Sequence, residues 1–121
     1  MGTVSSVLVG LIAFLHVYFL VLEMFLWATP FGAKTFKRPL DEMIAQKTLA
    51  ANQGLYNGFL AAGLGWSLVA AEPIAHELKL FFLGCVLVAG LYGAATASRA
   101  ILFLQALPAA AALVVTYLAM R

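Results

Sequence analysis

Charge is scarce in this chain. Only 7 of its 121 residues are Lys or Arg and 5 are Asp or Glu, 10% together, against 64% hydrophobic residues. Soluble domains carry about 25% charged residues. A chain this poor in charge, with a strongly positive mean hydropathy, belongs in a lipid bilayer. Its basic residues form no stripe, which excludes nucleic acid as a partner. The single cysteine, Cys85, excludes a disulfide, a dithiol redox pair or a cysteine metal cluster within the chain. Nucleophile elbow, P-loop and dinucleotide fingerprint are all missing, so no motif points to a hydrolase, a kinase or a dehydrogenase, and no cofactor is expected. The two histidines, His16 and His76, fall on opposite sides of the expected topology and leave too few ligands for a metal.

What the sequence does have is long apolar runs. A spanning helix needs about 20 mostly apolar residues, and four runs meet that need, at about 4–28, 48–71, 78–98 and 100–120. The second should begin near residue 40, where Pro39 followed by Asp41 and Glu42 has the pattern of a helix start, and the third near residue 74, after Pro73. The links between them are short, which favours antiparallel neighbours. The expected fold is all-α, an integral membrane four-helix up-down bundle forming a single domain over residues 1–121. The first run lacks the basic start and the cleavage site of a signal peptide and is expected to stay as an anchor.

Basic residues set the orientation. Lys34, Lys37, Arg38 and Lys47 in the first connection, with Arg99 in the third, outnumber Lys79 and Arg121 on the other side. The positive-inside rule then puts those connections in the cytoplasm and both termini outside. Pro30 and Gly32 in "TPFG" are expected to end the first helix, and Pro108 to kink the fourth. Small residues recur at Ala50, Gly54, Gly58 and Ala62, and again at Gly90, Ala94 and Ser98 with Gly93 and Ala97 beside them. Each set is a seam along which helices can approach closely, one pairing the second and third spans inside the chain and the other serving a homodimer, with either assignment open.

Polar residues within these runs mark the candidate site. In "FLHVYFLVLEMFLW", His16 and Glu23 lie seven positions apart, close to two turns, and share one stripe of the first helix. Asn52, Gln53, Tyr56 and Asn57 form a stripe on the second, Tyr92, Thr96 and Arg99 one on the third, and Gln105 lies on the fourth. Counted from the expected cytoplasmic ends at about 1.5 Å per residue, Glu23, Gln53, Tyr92 and Gln105 lie roughly 8–9 Å deep, and Asn57 and His16 roughly 14–18 Å deep. The outer half offers no comparable collection. His76, Glu77 and Glu72 sit in a polar turn and are expected to be solvated. An intramembrane charge costs about 2.5–3.5 kcal/mol on insertion scales, so Glu23 is a functional candidate by default. A plainer reading pairs it with Arg99 to tie two helices together, and the amides taken singly are cross-helix hydrogen bonds.

The stretches "LHVYFLVLEMFLWATPFG" and "LAANQGLYNGFLAAGL" resemble the signature segments of the domain of unknown function 1304 family of small bacterial membrane proteins. The resemblance covers essentially the whole chain. It implies four membrane helices in the bacterial inner membrane and gives weight to His16, Glu23, Asn52, Gln53, Tyr56 and Asn57, but it brings no activity. From the residues themselves, two readings compete. In the first, a polar pocket in the cytoplasmic half binds a hydrophobic small molecule, with Glu23 and His16 as proton-transfer groups. The amides, Tyr92, Thr96 and Arg99 would then contact the ligand, for isomerisation, epimerisation or addition and removal of water. In the second, Glu23 is the protonatable carboxylate of a transporter that resembles small multidrug exporters in size and layout. A structural membrane subunit is the remaining alternative. An exporter would also need polar groups through the outer half, where the sequence offers little beyond Thr3, Ser5, Ser6 and Ser67.

Overall fold

Twenty-three mostly apolar residues without a proline keep the first segment helical from Gly2 to Met24 (α1). The computed structural model describes residues 2–120, so Arg121, counted above among the outer basic residues, lies outside them, as does Met1. Six α-helices follow one another, with no strand among the described residues: α1, α2 (Pro30–Phe36), α3 (Leu40–Ala45), α4 (Lys47–Val69), α5 (Ile74–Thr96) and α6 (Leu107–Ala119). A π-helical turn, Leu102–Ala106, leads into α6.

Three helical stretches, Gly2–Met24, Ile74–Thr96 and Leu102–Ala119, are long and apolar enough to cross a membrane. Many of their large apolar residues face outward: Val4, Val7, Leu11 and Phe14 recur at helical spacing along α1 and are all exposed. A soluble protein avoids such a continuous apolar surface. The fourth expected span, α4, has the same length as α1 and α5 but is not among the three, because Lys47, Asn52, Gln53 and Asn57 dilute its apolar content.

The chain divides into two compact units, Met1–Phe14 with Leu60–Arg121, and Leu15–Phe59. In the first, Val9 of α1, Leu64 of α4, Leu83 and Val86 of α5, and Ala109 and Ala112 of α6 form one buried cluster, so all four long elements contribute to its core. The Gly90 seam of α5 lies against the π-helical turn, where an added Cβ would come within 2.6 Å of the Ala106 nitrogen.

That turn comes just before Pro108, where the sequence predicts a disruption. Pro108 has no N–H for the carbonyl four residues back. The helix enters it through a wider register in which the Leu107 N–H donates to the Leu102 carbonyl, five residues back.

In the second unit the structure corrects the sequence at Pro30. The first helix stops at Met24, not near residue 28, and Pro30 opens α2 instead of closing α1. Thr29 caps it by accepting from the Gly32 N–H at 3.2 Å, Pro30 occupies the first turn, and Lys37 ends it in the left-handed conformation at φ 56°. Gly32 is required because a Cβ there would run into the backbone carbonyls of Leu26 and Trp27. The Trp27 ring rests on Phe36 at 4.7 Å and fastens α2 beside the end of α1. The helix expected from residue 40 does begin there, with Asp41 and Glu42 in its first turn, but breaks at Gln46 into α3 and α4. Fully buried Met43 anchors the short α3.

Candidate functional site

Glu23 is the penultimate residue of α1 and only 6% exposed. It therefore lies nearer its helix end than the sequence estimate, because α1 stops early. Two side chains from α4 hold it: the Gln53 amide donates to Glu23 Oε2 at 2.7 Å, and the Asn57 amide donates to Oε1. Their spacing explains this, since positions four apart on α4 stand one above the other and meet the two oxygens of one carboxyl group.

The backbone approach that permits these bonds comes from the first small-residue seam. A Cβ added at Gly54 would lie 2.7 Å from Met24 Cγ, 3.0 Å from Glu23 Cβ and 3.2 Å from the Leu20 carbonyl, and one at Gly58 would lie 2.6 Å from Leu20 Cδ1. As residue numbers rise along α4 the α1 neighbours fall, so the two helices run antiparallel here. Gly54 and Gly58 serve the α1–α4 contact, whereas the seam was expected between the second and third spans or in a homodimer.

Of the other residues singled out in this unit, His16 is fully buried on α1, with its ring edge-on to Phe19 at 5.3 Å. Tyr56 is exposed and packs edge-to-face on Phe59 at 5.6 Å, and Asn52 is exposed as well. Half of the α4 stripe thus bonds the carboxyl group and half faces outward. In the other unit, Tyr92 is 71% exposed, Thr96 donates its hydroxyl back to the Tyr92 carbonyl at 2.7 Å, Arg99 is exposed in the turn after α5, and Gln105 is half-buried in the π-helical turn. An ion pair in the Glu23 unit joins exposed Arg38 and Glu42 at 3.6 Å.

The carboxyl group is fixed in orientation and keeps lone pairs beyond those the two amides occupy. It can accept a proton or a hydrogen bond from a ligand without first paying to order itself. Among the described residues no cluster of His, Cys, Asp and Glu could hold a metal ion.

A second polar cluster escaped the sequence reading. Lys79 on α5 is only 9% exposed and donates to Ser5 at 3.2 Å and Ser6 at 3.0 Å on α1, while Ser5 shares a 2.6 Å hydrogen bond with Thr116 of α6. The part of the chain expected to offer little beyond Thr3, Ser5, Ser6 and Ser67 buries the Lys79 ammonium together with Ser5 and Thr116. His76, expected to be solvated, is half-buried, and its Nε2 has no hydrogen-bond partner. The signal available beforehand was the spacing of His76 and Lys79, which lie three apart on one face of α5.

Fold and site together define an all-helical protein with three helices apolar enough to cross a membrane and one buried carboxyl group held by amides. Residues 10–117 match the family described as protein of unknown function (DUF1304), and the chain belongs to that family. It is also similar to the uncharacterized protein YpaA of Lactococcus lactis subsp. lactis (strain IL1403), at 26% identity over 106 residues, 85% of this chain and 88% of that protein. No solved structure matches it.

Proposed function

We propose that the protein is a bacterial inner-membrane four-helix up-down bundle that binds a hydrophobic small molecule at Glu23 and exchanges a proton with it. In this reading α4 is the fourth span, residues 25–46 lie on the cytoplasmic side, and both termini are outside. The observation that carries it is the buried Glu23 carboxyl group with each oxygen engaged by an amide of α4. An intramembrane carboxyl group is costly, and one oriented by two donors is equipped for proton transfer at a fixed place. Gln53 and Asn57 act through Glu23 as positioning residues. His16, two turns earlier on the same stripe, is the second proton-transfer group; proton removal from one carbon with return to another gives isomerisation, and return to the opposite face of the same carbon gives epimerisation.

Native mass spectrometry with solvent extraction tests this on the wild type and Glu23→Gln. A specific hydrophobic molecule should accompany the wild type and be lost from the variant. Finding the same molecule in both at equal occupancy would remove Glu23 from the binding site.

One observation favours a second reading, a proton-coupled transporter. The buried Lys79, Ser5 and Thr116 supply polar groups in the part of the chain where a one-sided site needs none. Proton release from proteoliposomes on adding organic cations, abolished by Glu23→Gln, would establish that reading over the first.

A further inference from the structure

The Lys79 cluster opens into a cavity of about 350 Å3, whose lining includes Ser5, Thr116, His76, Glu72 and Glu77. Small-molecule sites start at roughly 300 Å3. Three features of the lining say what would fill it.

Lys79 is a nearly buried ammonium without a carboxylate at ion-pair distance among the described residues. Its two bonds to Ser5 and Ser6 satisfy hydrogens but do not balance the charge, and an ammonium has three hydrogens to donate. A buried unbalanced cation is costly, so an anion in the cavity would relieve it. His76 supplies the second feature: its Nε2 is buried with no partner and would gain a hydrogen bond from a ligand oxygen. The third is the opposite sign on the same wall. Glu72 and Glu77 are exposed at the cavity and would repel a simple anion, but they suit a ligand that carries an amine a few bonds away from its anionic group.

We propose that this cavity binds a phosphoethanolamine-type zwitterion, its phosphate on Lys79 and His76 and its ammonium on Glu72 and Glu77. The cavity lies at the start of α1 and α5 and the end of α6. Lysine side chains lean toward the N-terminus of their helix, so Lys79 on α5 reaches toward that end. Helix ends of membrane-spanning segments lie at headgroup level, where a cation meets lipid phosphates. The same chemistry reaches the cavity from a lipid headgroup or from free O-phosphoethanolamine.

Native mass spectrometry of the full chain tests this by titration with phosphatidylethanolamine, phosphatidylglycerol and free O-phosphoethanolamine. The wild type should bind the amine-bearing lipid several-fold more tightly than phosphatidylglycerol. Lys79→Met should lose about ten-fold or more, the effect expected for one charge-assisted hydrogen bond of roughly 1.5–3 kcal/mol. Glu72→Gln with Glu77→Gln, at exposed positions that do not threaten folding, should keep binding but erase the preference for the amine. Equal affinity for the free compound and the lipid would assign the site to a soluble ligand of this class, and stronger lipid binding to the headgroup. Unchanged binding in a folded Lys79→Met variant, or phosphatidylglycerol binding as tightly as phosphatidylethanolamine, would overturn it.

Discussion

Replacing Gly54 by alanine probes the contact on which the site is built. The new Cβ would stand 2.7 Å from Met24 Cγ, 3.0 Å from Glu23 Cβ and 3.2 Å from the Leu20 carbonyl. Met24 can change rotamer, but the Glu23 Cβ and the Leu20 carbonyl belong to the α1 framework and move only if the whole helix yields. Overpacking of this kind costs about 1–3 kcal/mol, against about 0.8–1 kcal/mol gained in helix propensity. The net expectation is a loss of up to about 2 kcal/mol. Gly65 is the control on the same helix, since an added Cβ there meets nothing within 4 Å. Gly65→Ala should therefore be neutral or up to about 1 kcal/mol stabilising. Thermal unfolding in detergent should place the two variants on opposite sides of the wild type, separated by several degrees at about 4 °C per kcal/mol. A Gly54→Ala protein that melts as high as Gly65→Ala would refute the close α1–α4 approach.

Other expectations follow from the same geometry. With α4 as the proposed fourth span, Asn57→Ala and Gln53→Ala should each cost about 0.6 kcal/mol, the mean for polar contacts between membrane helices, and at most about 1.7 kcal/mol, and each effect should shrink when Glu23→Gln is already present, in a double-mutant cycle read by unfolding. Thr29→Ala should remove the α2 cap at a cost of about 1 kcal/mol and speed hydrogen exchange at the Gly32 amide while leaving α5 unchanged. On a Cys85→Ala background, Lys37→Cys should react with an impermeant thiol reagent only from the cytoplasmic side and Glu77→Cys only from the outside. The reverse pattern would overturn the proposed orientation.

The Glu23 site was legible because its parts obey helical spacing. Gln53 and Asn57 lie four apart, and a lone carboxyl group in an apolar run demands partners, so all three were among the candidates, but which residues of the α4 stripe would meet Glu23 was not legible, and Arg99 was named as the alternative partner. Which helix the Gly54 seam would meet was not legible, because a row of small residues states that something approaches closely and not what. Pro30 misled for a local reason: proline stops a helix from within and starts one at its first turn, and only the Thr29 cap and the left-handed Lys37 decide between the two. Pro108 was recognised as a disruption, but the relief of its missing N–H through a π-helical turn depends on the backbone register before it. Lys79 was counted for topology alone, since a lysine near a helix end ordinarily reaches water. Its burial depends on Ser5, Ser6 and Thr116, from helices at the two ends of the chain.

The most direct test of the central claim is to measure the melting temperature of the wild type and Glu23→Gln before and after exhaustive extraction of co-purifying small molecules. A ligand that binds only the folded protein stabilises it by mass action, about 2.7 kcal/mol at a hundred-fold excess over Kd. If Glu23 contacts a ligand, extraction should lower the wild type toward the variant and leave the variant unmoved. A gap between the two that survives extraction unchanged, with no shift in the wild type, would mean that Glu23 only joins α1 to α4, and would contradict the account.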